Sequence, residues 1–271
     1  MMFRETPDGC IAIPQPSHAW LSGQIIRVWG NAEFGPVTPY EDVCLGAEQH
    51  DIGWLVWEQS PTLDPRTGRP YSFRDLGVRA HTGMWSMGTA MAQGLGRYPA
   101  LLVSLHGTGL YAKFDAGSAD AADRAAVRAF LSEQQEIQHR LVASLRADER
   151  LGDFSGDEMI ERNRGLVRAA DRVSIAICTG MRDLAIRSER AFEAKVKDVP
   201  TADGKTDLRL VAIDGDLSNI VVTPWPFATR GVRVTCEGVA LPPRPFDDEN
   251  EMRVGLRNAK CVVLAAELRP G

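Results

Sequence analysis

The chain has 271 residues, 44% of them hydrophobic and 25% charged, with a formal net charge of -5 and an isoelectric point near 5.6. That composition belongs to an ordinary globular protein with a substantial core and excludes a disordered chain. The acidic balance excludes a global basic field for gripping nucleic acid, and no apolar run approaches the roughly 20 residues that cross a bilayer.

Residues 1–16 read as irregular, with an apolar patch Cys10-Ile11-Ala12-Ile13 closed by Pro14 and Pro16. Ser17 is placed to cap a helix running to about Trp29, because Leu21, Ile25 and Val28 recur at helical spacing and put His18 in the first turn. After a loop punctuated by Pro36 and Pro39, Tyr40 and Glu41 open a second helix through His50 towards Glu58. Gly46, Ala47 and Gly53 flank His50 and leave room for other helices to approach. Ser60 to Asp75 is a polar, proline-rich excursion, read as a surface loop or a lid.

His81 precedes a helix from about Gly83 to Gly94, and Pro99 opens the apolar segment that carries His106 beside Gly107 and Gly109. Ala119 to about Arg150 forms a long packing helix with the stripe Val127, Phe130, Leu131, Ile137, Leu141 and Leu145. A second long helix, Asp157 to Cys178, puts Val167, Asp171, Ser174, Ile175 and Cys178 on one face. An acid on such a face is costly to bury without a partner. Beyond Ala194 the period changes to two, predicting strands at Leu208–Ile213, Asn219–Thr223, Val232–Cys236 and Cys261–Leu268, a turn at Glu237-Gly238 and a short helix at 247–259.

Cys10, Cys44, Cys178, Cys236 and Cys261 are odd in number and contain no Cys-x-x-Cys pair, so they read as reduced thiols of a cytoplasmic protein. The N-terminus has no apolar signal-peptide core, which points the same way.

The chemistry centres on Ala47-Glu48-Gln49-His50-Asp51-Ile52-Gly53-Trp54. Helical neighbours lie about 100° apart, so the His50 and Asp51 side chains meet at one point only when metal or substrate fills the gap. Taken in order, His18, His50-Asp51, His81, His106 and the inward Asp171 give His, His-Asp, His, His, Asp. This series resembles the HD-domain superfamily of helical metal-dependent enzymes, in the members with a complete six-ligand set. The resemblance covers about residues 15–180, with Ala169-Ala170-Asp171-Arg172-Val173-Ser174 similar to the helix that supplies the last ligand. His-Asp-Ile-Gly-Trp and Pro224-Trp225-Pro226-Phe227 also resemble a bacterial family of such proteins with no assigned reaction.

The resemblance implies that His18, His50 and Asp171 hold one metal, His81 and His106 the other, and that Asp51 bridges them. The mixed nitrogen and oxygen donors suit Fe(II)/Fe(III) first, with manganese, zinc or magnesium as alternatives. Six-ligand members divide into mixed-valent di-iron oxygenases and phosphohydrolases. Many of the hydrolases carry a Lys where this chain has Trp54, although some oxygenases do as well, and the ligand spacing resembles compact oxygenases acting on organophosphonates. Arg168, one turn from Asp171, is a candidate grip for an anionic substrate, or else a salt-bridge partner; Gln15, Trp54, Arg79 and Lys113 are further pocket candidates. His139 is left out as solvent-facing.

The expected fold is mainly α, an HD-domain helical bundle at 1–195 with a β-rich C-terminal segment at 196–271 packed on the same domain. The expected function is a dinuclear metalloenzyme, an oxygenase on a small polar or anionic substrate, with phosphohydrolase and non-catalytic regulatory module as alternatives. Neither nucleic acid nor membrane is expected as a partner, and the β segment would either close the pocket or form a homodimer interface.

Overall fold

Thr6-Pro7-Asp8-Gly9 carries the turn chemistry that reverses an extended chain, and it joins strand β1 (Met2–Thr6) to β2 (Gly9–Ile13) in an antiparallel hairpin. A computed structural model describes residues 1–112, 114, 120–184 and 186–271; Lys113 lies outside them. The helices α1 (Gln15–Arg27), α2 (Tyr40–Glu48), α3 (Trp54–Glu58), α4 (Val78–Gln93), α5 (Arg97–Tyr111), α6 (Ala121–Arg146) and α7 (Asp157–Thr179) follow, with a small hairpin of β3 (Leu63–Asp64) and β4 (Arg69–Pro70) between α3 and α4. The chain then runs through β5 (Glu193–Pro200), β6 (Lys205–Ile213), β7 (Asp216–Thr223), β8 (Val232–Leu241), α8 (Glu249–Asn258) and β9 (Cys261–Pro270).

The expectation of a mainly α HD-type bundle with a β-rich C-terminal extension is corrected by this architecture. Helix accounts for 45% of the chain and strand for 23%, and seven strands form one sheet in the order β1-β2-β8-β9-β7-β6-β5. The fold is mixed α and β. The N-terminal hairpin joins the late strands through β2 against β8, so the sheet draws on both ends of the chain. All neighbours pair antiparallel except β7 and β9, which run parallel. Asp214-Gly215 closes the β6–β7 hairpin with positive φ at both residues, 51° and 78°, the geometry a two-residue turn requires.

One hydrophobic cluster takes residues from α1, α2, α5 and α7 together with β2 and β5 to β9, so helices and sheet share a core. The helix α7 lies at its middle and ends at Gly180 with φ 64°, where only glycine turns left-handed without strain. Two helix starts are capped by aspartate, Asp120 accepting from Asp123 N and Asp248 from Glu251 N. Ser17 is not a cap: α1 starts two residues earlier, and the Ser17 hydroxyl bonds Glu237 of β8. The expected turn at Glu237-Gly238 is instead strand, held in register with Val263 and Val262 of β9. No helix among the described residues is long and apolar enough to cross a membrane.

Candidate metal centre

The expected continuous helix from Tyr40 to Glu58 breaks at Gln49–Gly53, and this break puts His50 and Asp51 in a turn between α2 and α3. The turn is pressed against α4: a Cβ on Gly53 would lie 2.0 Å from the Met84 carbonyl oxygen. Gly46 likewise lets Leu102 of α5 close in, where a Cβ would meet its Cδ1 at 2.7 Å. Small residues thus bring the turn within reach of α1, α5 and α7.

Five of the six expected ligands converge there. His18 comes from α1, His50 and Asp51 from the turn, His106 from α5 and Asp171 from α7, and all five are buried. His18 Nε2 stands 3.0 Å from Asp51 Oδ2 and 3.4 Å from Asp171 Oδ1. His50 Nε2 stands 3.5 Å from each of the same two oxygens. Two ligands about 2.1 Å from a shared ion, at octahedral or tetrahedral angles, are separated by about 3.0–3.4 Å. Each of these four spacings is that of two donors sharing one ion. Ligand atoms of His18, His50 and Asp51 form one tight group, and those of His50, His106 and Asp171 another, each within 4.8 Å.

The second nitrogen of each central histidine fixes its tautomer. His50 Nδ1 lies 2.7 Å from the Ala47 carbonyl, which can only accept, so Nδ1 carries the proton when the ring is neutral. His50 Nε2 is then a bare lone pair, buried and without a hydrogen-bond partner. His18 Nδ1 bonds Ser174 Oγ, whose own proton goes to the Asp171 carbonyl at 2.9 Å. His18 therefore donates from Nδ1 and offers Nε2 inward. Histidine ligands are ordinarily held by such outer hydrogen bonds.

His81 stands apart from these groups while lining the same cavity. Its Nδ1 bonds Tyr111 Oη at 2.7 Å, and its Nε2 accepts from Trp85 Nε1 at 3.2 Å. Trp85 can only donate, so the His81 lone pair is already engaged. His106 packs near His50 and Asp171 rather than with His81 alone, which redistributes the ligand groups implied by the HD-domain resemblance.

Burial works against charge on His50, but Asp51 and then Asp171 outweigh it and raise its pKa to about 9. Burial, reinforced by the charge of His50, pushes His106 down to about 4. For Asp51 and Asp171 burial acts upward, yet the surrounding imidazoles hold both carboxyls below their ordinary range. Two ionised carboxylates buried together need a cation between them. A protonated His50 supplies part of that charge.

The cavity over the cluster is about 330 Å³. Trp54, fully buried, is in its wall with Gln15, Phe73 and Trp85. Gln15 Oε1 is buried without a partner. The excursion after α3 contributes Phe73 and Arg74 to the cavity wall, the latter paired with the buried Asp183. Arg168 lines an adjoining cleft that shares His106 and Asp171 with the main cavity. Arg79 pairs with Asp123 at the surface and is not in the cavity wall. His139 is exposed. Ser174, Trp85 and Tyr111 did not emerge as site residues from the sequence. The usable signals were Ser174 one helical turn beyond Asp171 and Trp85 one turn beyond His81.

The fold and this cluster define a mixed α/β protein with a buried histidine–aspartate centre of metal-ligand type. Residues 1–243 match the family described as Protein of unknown function (DUF3891), and the chain belongs to that family. No curated protein and no solved structure matches the chain.

Proposed function

We propose that the protein is a metal-dependent enzyme, a dinuclear oxygenase acting on a small substrate, with iron as the working metal. The observation that carries this reading is the cluster of buried nitrogen and oxygen donors spaced 3.0–3.5 Å apart around a partnerless His50 Nε2. His18, His50 and Asp51 would hold one metal and His106 and Asp171, beside His50, the other, with His81 able to join only when Trp85 releases its Nε2. When bound, such a metal pair supplies dioxygen activation or, in a hydrolase, an activated water. The ligand order continues to resemble the six-ligand HD enzymes, and that resemblance is part of the proposal.

The chain's own residues do the rest. Trp54, Phe73 and Trp85 give the cavity beside the centre an aromatic wall, which would shield a bound substrate from water. Gln15 Oε1 offers an acceptor to a donor group on the substrate. Ser174 and the Ala47 carbonyl hold His18 and His50 in the tautomer that presents Nε2. The same reading puts the protein in the cytoplasm, supported by five free cysteines.

A second reading, a metal-dependent phosphohydrolase, is favoured by one observation: Arg164, Arg168 and Lys197 line the cleft beside His106 and Asp171. Iron-loaded and manganese-loaded protein are to be screened in parallel against small organic anions. Substrate-dependent dioxygen uptake is the expected result. Inorganic phosphate released from phosphoesters without dioxygen uptake would replace the oxygenase with the hydrolase.

A further inference from the structure

A chain of three ring side chains, Trp85, His81 and Tyr111, runs along the wall of the cavity, and its hydrogens can be assigned one by one. Gly107 of α5 seats the first: a Cβ there would lie 2.8 Å from Trp85 Cε3, so the indole packs directly on the α5 backbone. Trp85 stands one helical turn beyond His81 on α4, and its Nε1 reaches back to His81 Nε2 at 3.2 Å. His81 Nδ1 in turn lies 2.7 Å from Tyr111 Oη. All three residues line the cavity over the histidine–aspartate cluster.

An indole N–H only donates, so His81 Nε2 accepts and the imidazole proton sits on Nδ1. That proton goes to Tyr111 Oη, which accepts it. A metal ion taken by His81 Nε2 in place of Trp85 leaves the same proton on Nδ1. In either state the Tyr111 hydroxyl has its own hydrogen left over, because among the described residues His81 Nδ1 is the one polar atom bonded to it. The phenol is held in place: its ring packs 5.5 Å from Phe130 and 6.0 Å from Phe114, in an apolar cluster with Trp85 and Val127. A buried hydroxyl hydrogen without an acceptor is costly, and a ligand that displaces water from such a group loses affinity unless it reproduces the bond.

Resting on the reading of this cavity as the substrate site of a metalloenzyme, we infer that Tyr111 is a substrate-binding donor, whose hydroxyl holds a carbonyl, hydroxyl or carboxylate oxygen of the substrate. Trp85 and His81 are the positioning residues that keep it a donor. The substrate is thus an oxygenated compound that turns an accepting oxygen towards Tyr111. A hydrocarbon group in that position leaves the hydroxyl hydrogen unpaired.

The test uses the full chain, metal-free, with two probes of one shape, acetophenone and α-methylstyrene, which differ by a carbonyl oxygen against a methylene group. Both are small enough for a cavity of about 330 Å³. Affinities are read by calorimetry, and the carbonyl stretch of bound acetophenone by infrared difference spectroscopy. Tyr111→Phe is expected to weaken acetophenone about tenfold and α-methylstyrene by less than about twofold, and to raise the carbonyl stretching frequency as the hydrogen bond is lost. Trp85→Phe leaves Tyr111 in place and is expected to act in the same direction, since His81 Nε2 is then free to carry the proton while Nδ1 accepts the Tyr111 hydrogen. Equal losses for the two probes in Tyr111→Phe, or a carbonyl stretch that this substitution does not move, would overturn the inference, as would wild-type protein that binds no acetophenone. Zinc titration of the same sample tests the metalloenzyme reading separately. Failure to bind zinc counts against that reading, whereas zinc-binding protein in which Tyr111→Phe treats the two probes alike overturns this inference alone.

Discussion

His50 carries the strongest single argument for a metal, because Ala47 takes its Nδ1 proton and leaves a buried Nε2 with no partner among two histidines and two carboxylates. The metal-free protein balances those carboxylates by protonating His50. Its folded pKa of about 9 lies above the ordinary histidine value, so this contribution to stability is complete below about pH 6.5 and is lost as pH rises through about 9. A metal ion must displace that proton. Metal affinity is therefore expected to rise with pH, by up to about tenfold per unit below pH 9, and calorimetry in buffers of different ionisation enthalpy is expected to show about one proton released per metal at pH 7.5. Proton-independent binding would contradict the assignment of His50. Ser174→Ala frees His18 to rotate and is expected to weaken metal binding about 10–100-fold without unfolding the protein. Trp85→Phe removes the donor that occupies His81 Nε2, so the weaker of two metal-binding steps is expected to tighten by up to about tenfold, the worth of one hydrogen bond. At this scale the sequence was informative about which residues meet, since His18, His50, Asp51, His106 and Asp171 were all singled out from it. It was silent on which lone pairs are free. Hydrogen-bond partners such as the Ala47 carbonyl and Trp85 depend on how the chain bends.

The turn at Gln49–Gly53 shows what element-level reading missed and why. Tyr40 to Glu58 has helical spacing throughout, and nothing local forbids one long helix. Packing decides instead: Gly53 sits against the Met84 carbonyl of α4, and the chain bends at Gln49–Gly53, where His50 and Asp51 lie. Gly53→Ala is expected to cost about 1–3 kcal/mol by overpacking and to weaken metal binding with it, read from urea midpoints and zinc titration. Gly83, on α4 with open space where its Cβ would be, is the control: Gly83→Ala is expected to be neutral or to stabilise by up to about 1 kcal/mol. Equal effects at the two positions would refute the close-approach explanation. The long helices α6 and α7 were legible because their apolar stripes run for many turns, and β6, β7 and β9 because alternation is clean there. The strand β8 was read too short, since Glu237-Gly238 has turn composition. Its glycine is demanded by a close neighbour instead, the Ala12 carbonyl oxygen, which a Cβ would meet at 2.7 Å.

For the molecule as a whole, the sheet was half visible in the sequence. The strands β6 to β9 announce themselves, but β5 was missed, β1 and β2 are five residues each, and the β8 partner of β2 lies more than two hundred residues away. Long-range pairing of that kind leaves no local trace. The consequence is a mixed α/β fold whose N-terminal hairpin completes the sheet and sends Met2 into the cavity wall. Deletion of residues 1–13 is therefore expected to expose the β8 edge and to yield aggregated protein in size-exclusion chromatography. The turn and the helices α1, α5 and α7 together make one buried centre, and its claim to hold metal is open to direct measurement. Anaerobically purified protein is to be analysed for metal content and examined by electron paramagnetic resonance before and after mild reduction. The account expects about two irons per chain and a coupled Fe(II)/Fe(III) signal that His50→Ala abolishes. Folded protein that neither retains nor takes up iron, manganese or zinc would contradict it.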